Sequence, residues 1–140
     1  MKILKFILGL GFSASLVAAP EVGDVAPDFS LQGSDGKTYS IAQFRGKKPV
    51  VIAFFPKAFT GGWTIECKSL RDSDKEIQHY DITYFMASTD SIEDNTGFAV
   101  KNDATFPILS DPDKHMCKSY GVLSGFGFAS RWTFYIDKEG

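Results

Sequence analysis

The chain has 140 residues, 44% of them hydrophobic and 23% charged, which is enough for one domain with a core and too short for two ordinary domains. Its formal net charge of −2 gives no electrostatic basis for binding nucleic acid or anionic membranes. Its two cysteines, Cys67 and Cys117, are too few for a disulfide framework and do not form a Cys-x-x-Cys motif.

The N-terminus has the pattern of an export signal. Two lysines lie in the first five residues, residues 6–17 are apolar or small, and Ala18 and Ala19 follow. The apolar run is too short to span a bilayer. We therefore expect a signal peptide over residues 1–19 and an exported protein, periplasmic or secreted, with no membrane contact after cleavage. An uncleaved membrane anchor is the alternative.

Strand and helix patterns alternate along the rest of the chain. A continuous apolar run at 50–55 indicates a strand covered on both faces. Ser40 is placed to cap a short turn that ends at Phe44. Strands are predicted at 28–31, 38–40, 50–55, 82–87, 106–109 and 132–136, and helices at 64–79, at 91–102 and from Asp111-Pro112 to Gly121.

This order of elements predicts a single α/β sandwich in which a central mixed sheet is flanked by helices. On the helix at 91–102, Ile92, Phe98, Ala99 and Val100 are expected to face inward. The last four residues have the composition of a turn. We expect that turn to lead into a further strand, so the strand at 132–136 would be left as an unpaired edge.

The segment 54–67 follows the buried strand and precedes the first long helix. Backbone N–H groups at such a turn point toward an incoming anion, and a thiolate there would have a lowered pKa. Trp63 occupies the turn. An indole has no acidic proton at physiological pH and no nucleophilic lone pair, so Trp63 as written cannot attack a substrate.

Several segments together resemble the peroxiredoxins, which are thioredoxin-fold thiol peroxidases, and most closely their monomeric bacterioferritin-comigratory-protein branch. The signature is Pro-x-x-x-Thr-x-x-Cys, here Pro56, Thr60 and, in place of the cysteine, Trp63. The resemblance covers residues 22–140, and the matching segments are 22–29, 54–57, 60–67, 106–111, 120–122 and 131–137.

The resemblance implies a thioredoxin-like fold that lacks its C-terminal strand and helix. It also implies that Pro56 shields the nucleophile, Thr60 orients the peroxide, and Arg131 keeps the nucleophile ionised and stabilises the leaving oxygen. Cleavage of an O–O bond needs such an anionic nucleophile, fixed donors and a positive charge. Taken alone, Thr60 would be interpreted as a helix cap and Arg131 as a surface charge.

Three explanations of Trp63 are open. The chain has lost catalysis and kept the fold, or Cys67 has become the nucleophile, or codon 63 is UGA and is decoded in the cell as selenocysteine. We favour the third hypothesis because the residues around position 63 suit a reaction that tryptophan cannot perform. A selenol is ionised at neutral pH and would be a better nucleophile than a thiol.

Cys67 is the expected resolving cysteine. Residues four apart on a helix have Cβ atoms about 5–6 Å apart, whereas a disulfide needs about 3.5–4.5 Å. A bond between positions 63 and 67 therefore requires the first helical turn to unwind, which the resemblance implies during turnover. The alternative interpretation of Cys67 is a small buried hydrophobe. Core packing is also expected for Met116 and Cys117.

The leading hypothesis is an exported peroxidase that reduces hydrogen peroxide and small organic hydroperoxides and is regenerated by a thioredoxin-like or other thiol reductant. It needs no metal, flavin or haem and acts as a monomer or weak dimer. One alternative is a non-catalytic thioredoxin-fold module that binds a partner through the Trp63 surface. Another is a thiol–disulfide oxidoreductase using Cys67 and Cys117, which requires Cα atoms within about 7 Å.

Overall fold

The computed structural model describes residues 19–58 and 61–140. The signal peptide predicted over residues 1–19, except for its last residue, lies outside the described residues, as does Thr60. Among residues 19–58 and 61–140, no helix is both long enough and apolar enough to cross a membrane.

A six-stranded mixed sheet forms the centre of the molecule. Its strand order is β2-β1-β5-β4-β3-β6, with β3–β4 and β4–β5 parallel and the other pairs antiparallel. This confirms the predicted mixed sheet flanked by helices. The elements are β1 (Ser30–Gly33), β2 (Thr38–Ser40), β3 (Val50–Phe54), α1 (Gly61–Asp72), α2 (Asp74–His79), β4 (Thr83–Ser88), α3 (Ile92–Lys101), β5 (Ile108–Ser110), α4 (His115–Ser119) and β6 (Trp132–Ile136).

Alternate residues of the central strands point into two separate hydrophobic clusters, one on each face of the sheet. We call them the α4-side and α1-side clusters. Ile52 and Phe54 of β3 belong to the α4-side cluster, whereas Ala53 belongs to the α1-side cluster. All five residues of β3 are buried, as the continuous apolar run predicted. Cys117 lies in the α4-side cluster and Cys67 in the α1-side cluster.

Strand β6 forms one edge of the described sheet. It pairs with β3, and its other side has no partner strand among residues 19–58 and 61–140. Trp132 and Tyr135 are 61% and 81% exposed on this strand. Phe134 and Ile136 instead join the α4-side cluster, which holds β6 against the core.

The first long helix ends at His79 as predicted, but it differs from the prediction at its start and in its continuity. Helix α1 begins at Gly61 rather than at residue 64, and the helical segment is divided at Ser73 into α1 and α2. On α3 the prediction for Val100 was wrong, because Val100 is 72% exposed. The buried stripe of α3 is Asn95, Phe98 and Ala99, with the three- and four-residue spacing of one helix face.

Helix α4 begins at His115, so the predicted start at Asp111-Pro112 was wrong. The reason is that Asp111 caps the helix from a distance. Its buried carboxylate accepts the N–H groups of Met116 at 3.3 Å and Cys117 at 2.8 Å. Lys114 adopts a left-handed φ of 66° between the cap and the helix. Asp111 therefore satisfies two of the free helix N–H groups without being a helical residue.

Phe85 offers a direct test of the α4-side cluster, because its fully buried ring contacts Tyr39 and Phe44 edge-on. We expect Phe85→Ala to lower the free energy of unfolding by about 3–5 kcal/mol, measured by urea denaturation, because a large cavity is left. Tyr135→Ala on the exposed edge is the control and should change it by less than about 0.5 kcal/mol. Equal effects of the two substitutions would contradict the description of this cluster.

Candidate active site

The candidate site lies where the carboxyl ends of β3 and β4 meet. Phe54 pairs with Trp132, so Arg131 stands opposite Phe55, the first residue after β3. Residues that are opposite one another in an antiparallel pair share a face. Phe55 belongs to the α1-side cluster. The register of β3 with β6 therefore brings Arg131 to the face on which α1 packs.

Arg131 contacts the first two turns of α1 through two residues, Trp63 and Glu66. Its guanidinium carbon lies 4.8 Å from the centroid of the Trp63 ring. Its Nη2 atom donates to Glu66 Oε2 at 3.1 Å. The Arg131 side chain is 73% exposed and that of Glu66 28%. An ion pair this exposed contributes at most about 1 kcal/mol, and a cation–π contact at such a site adds about 0.5–1 kcal/mol.

The indole of Trp63 is half-buried against the α1-side cluster. Its ring centroid lies 6.0 Å from that of Phe55, and the Phe55 ring is stacked on Phe98 at 5.9 Å. The indole thus packs against the α1-side cluster, and the Arg131 guanidinium lies near the ring as well. Position 63 is in contact with both apolar side chains and a positive charge.

Cys67 lies one helical turn beyond Trp63 and is fully buried. Burial raises the pKa of the Cys67 thiol to about 11, against the opposing effects of the positive charges of Arg71 and Lys68. At neutral pH the thiol of Cys67 is therefore protonated. It is a poor first nucleophile, since only the thiolate attacks.

Pro56 follows β3 and is half-buried, and Thr60 lies outside the described residues. In the described part of the segment between β3 and α1, residues 55–58, two backbone N–H groups donate hydrogen bonds to β4 and to the turn that follows it. The N–H of Phe55 donates to the carbonyl of Ala87 at 2.9 Å. The N–H of Ala58 donates to the carboxylate of Asp90 at 2.8 Å.

Sequence reasoning missed two participants, namely the pairing of Glu66 with Arg131 and the contact of Asp90 with Ala58. A signal for Asp90 was available. Asp90 follows β4 by two residues, and the carboxyl ends of adjacent parallel strands lie at the same edge of a sheet. Glu66 gave no comparable signal, because its partner is 65 residues away in the chain.

Cys117 takes no part in this site. It lies on the opposite face of the sheet from Cys67, and both cysteines are free. Burial, together with the hydrogen bond to Asp111, raises the pKa of the Cys117 thiol. With the sheet between the two sulfur atoms, a Cys67–Cys117 disulfide cannot form in this fold. This geometry removes the alternative of a thiol–disulfide oxidoreductase that uses this pair.

Within residues 19–58 and 61–140, no group of three or more His, Cys, Asp or Glu side chains is placed to hold a metal ion.

Residues 22–140 match the family model described as the AhpC/TSA family. The chain belongs to the AhpC/TSA family. Peroxiredoxin Bcp of Escherichia coli (strain K12) is 35% identical over 127 residues, which cover 86% of this chain and 81% of that protein. Alkyl hydroperoxide reductase E of Mycobacterium bovis is 35% identical over 122 residues, covering 85% and 80% of the two chains.

Solved structures of the same family share the fold. Peroxidoxin BcpB from Mycobacterium tuberculosis superposes with a TM-score of 0.76 at 31% identity, covering 84% of this chain and 79% of that one. The bacterioferritin comigratory protein of Xanthomonas campestris gives 0.74 at 27% identity, covering 80% and 75%. The predicted thioredoxin-like sandwich and the peroxiredoxin resemblance are thereby confirmed. By this relationship the chain belongs to a family of peroxidases.

The buried state of Cys67 predicts slow, strongly pH-dependent alkylation. At pH 7.5 we expect iodoacetamide to modify Cys67 at least about 100-fold more slowly in the folded chain than in urea, because the pKa is raised from 9.0 to about 11. The folded-state rate should continue to rise above about pH 10, where an unfolded thiol with a pKa of 9.0 is already mostly ionised. Peptide mass spectrometry measures the rate, and alkylation at the unfolded rate at pH 7.5 would contradict the buried thiol.

Proposed function

We propose that this peroxidase reduces hydrogen peroxide and small organic hydroperoxides through the residue at position 63. The observation that supports the proposal is the position of the Arg131 guanidinium, 4.8 Å from the side-chain ring of residue 63 at the start of α1. A helix N-terminus and a guanidinium both favour negative charge, so an ionised nucleophile at position 63 would be stabilised from two sides.

The reaction assigned to the site begins with attack of a selenolate or thiolate at position 63 on the terminal peroxide oxygen. The O–O bond breaks, the attacked OH becomes a selenenic or sulfenic acid, and the other oxygen leaves as an alkoxide or hydroxide that takes up a proton. Arg131 stabilises the charge on that leaving oxygen, and Thr60 orients the peroxide. Pro56 shields the nucleophile from water. A preorganised positive charge is effective for this step because negative charge moves onto oxygen in the transition state.

Cys67 is proposed as the resolving residue. Once the helix unwinds and Cys67 is exposed, its thiol loses its proton and the thiolate attacks the oxidised atom at position 63. A selenenylsulfide or disulfide forms, and the hydroxide that leaves takes up a proton to become water. Both positions belong to the helix Gly61–Asp72, so their Cβ atoms are too far apart until the first turn unwinds. A thioredoxin-like or other dithiol then reduces the bond and is itself oxidised.

We propose that residue 63 is selenocysteine in the cell, because a selenolate at this position could carry out the peroxide reduction described above. The supporting observation is that Arg131 and the start of α1 converge on residue 63, whereas an indole cannot attack. The export signal over residues 1–19 would place the enzyme in the periplasm or outside the cell, as a monomer or weak dimer. Cell fractionation and sedimentation measure these two properties.

A non-catalytic module that binds a partner through the Trp63 surface is the second candidate. It is favoured by one observation: the indole is packed against Phe55 and beside Arg131 as an ordinary tryptophan would be. Under this interpretation position 63 is a true tryptophan and the chain as encoded consumes no peroxide. The codon separates the two candidates.

We expect codon 63 to be UGA and the protein from its native host to contain one selenium atom. Sequencing the transcript and measuring the intact mass of the natural protein are the two tests. The mass of tryptophan at position 63, or a UGG codon, would refute the selenocysteine proposal.

We expect Trp63→Cys to consume hydrogen peroxide with dithiothreitol as reductant, and the chain with Trp63 to be inactive. Adding Arg131→Met should lower the second-order rate constant by about 100- to 1000-fold, because a preorganised charge is lost. Lys75→Met, which removes an exposed cation on α2, is the matched control and should leave the rate within about twofold. An inactive but folded Trp63→Cys protein would refute peroxide reduction at position 63.

A further inference from the structure

Asp90 connects two segments that meet at the candidate site. It lies two residues after β4, in the turn that leads into α3. Its Oδ2 atom accepts the backbone N–H of Ala58 at 2.8 Å, across 32 residues of sequence, and the hydroxyl of Ser88 at 2.8 Å. A hydrogen bond to an ionised carboxylate is shorter and about twice as strong as a neutral one.

A chain of hydrogen bonds fixes the orientation of the Asp90 carboxylate. Ser88 has one hydroxyl proton, and the shorter of its contacts gives that proton to Asp90 at 2.8 Å. Ser88 Oγ then accepts from Asn95 Nδ2 at 3.0 Å. Asn95 Nδ2 also donates to Ser110 Oγ at 2.8 Å. The donors therefore run from α3 through β4 to Asp90, and Ser88, Asn95 and Ser110 are all buried.

The network ends at a single backbone atom of the candidate site. Ser88, Asn95 and Ser110 belong to β4, α3 and β5, while Ala58 belongs to the segment between β3 and α1. A buried polar network of this kind defines one arrangement of the groups it joins. Here the defined group is the amide of Ala58, whose side chain is also buried in the α1-side cluster. Both the backbone and the side chain of Ala58 are thus held.

We infer that Asp90 is a positioning residue for peroxide reduction, which holds residues 55–58, including Pro56, in the orientation that the reaction at position 63 requires. The inference rests on the proposed function. Without the carboxylate, the Ala58 N–H loses its acceptor and the peptide at Ala58 can rotate. A displacement of about 1 Å in positioning groups can cost about 100-fold in rate.

The kinetic test uses the full chain with Trp63→Cys, and compares Asp90→Ala, Asp90→Asn and the control Asp94→Ala. Asp94 is an exposed carboxylate in the first turn of α3. We expect Asp90→Ala to lower the second-order rate constant for hydrogen peroxide by about 10- to 100-fold. Asp90→Asn should recover most of that loss, because its amide oxygen can still accept from Ala58. Asp94→Ala should have no effect.

Alkylation by iodoacetamide of the thiol that Trp63→Cys introduces separates positioning from general damage. Alkylation needs an exposed thiolate and no oriented peroxide, so its rate should change less than about threefold in Asp90→Ala while the peroxide rate falls. Equal losses in both rates, or equal peroxide rates in Asp90→Ala and Asp94→Ala, would overturn the inference. If Asp90→Ala does not fold, Ser88→Ala replaces it, because it removes the donor that orients the carboxylate.

Amide hydrogen exchange tests the inference without any activity, in the chain as encoded with Trp63. We expect Asp90→Ala to accelerate exchange at Ala58 by at least about tenfold, because its amide becomes unpaired, while amides of β3 stay protected. Unchanged exchange at Ala58 would overturn the inference. If Trp63→Cys is inactive while exchange at Ala58 accelerates, the proposed function fails and Asp90 remains the anchor of this segment.

Discussion

The antiparallel pairing of β3 with β6 determines where positive charge meets the first helix. Phe54 pairs with Trp132, so the residue that precedes β6, Arg131, stands opposite the point where the chain leaves β3. The chain then enters α1 at Gly61, and the N-terminus of a helix carries a partial positive charge. A shift of this register by one residue would turn Arg131 to the other face of the sheet. The position of the guanidinium beside residue 63 therefore depends on sheet pairing rather than on any local motif.

Residues 63 and 67 lie on the same face of α1 but in environments that favour opposite chemistry. Position 63 is half-buried at the helix start, beside a guanidinium, where an anion would be stabilised. Position 67 is fully buried one turn later, and burial raises the pKa of its thiol to about 11. The electrostatic difference along one helical turn thus separates a site suited to attack from a site that stays protonated. This favours position 63 over Cys67 as the first nucleophile.

Elements whose signals are local could be predicted from the sequence. The buried strand β3 has a continuous apolar run, and α3 begins after Ser91, whose hydroxyl accepts the N–H of Asp94 at 3.1 Å. The start of α4 could not be predicted in this way, because its capping carboxylate, Asp111, lies outside the helix and is buried. The division of the first long helix at Ser73 likewise has no proline or glycine to signal it.

The candidate site could be predicted from the sequence even less well than these elements. The link from Trp63 to Arg131 came from resemblance to a family, since no spacing rule joins residues 68 positions apart. The pairing of Glu66 with Arg131 and the contact of Asp90 with Ala58 were missed because they are tertiary contacts across 65 and 32 residues, which follow from topology rather than from local patterns.

The start of α1 explains how a buried Cys67 could still reach position 63. A Cβ at Gly61 or Gly62 would meet no atom within 4 Å, so steric crowding does not account for either glycine. Each glycine in a helix instead costs about 1 kcal/mol of helix stability relative to alanine. The turn that must unwind before residues 63 and 67 can bond is therefore the turn with the weakest intrinsic preference for helix. Because β3 and the Ala58–Asp90 hydrogen bond hold the chain up to residue 58, unwinding of the first turn of α1, which is the motion that the proposed resolving step needs, would leave β3 in place.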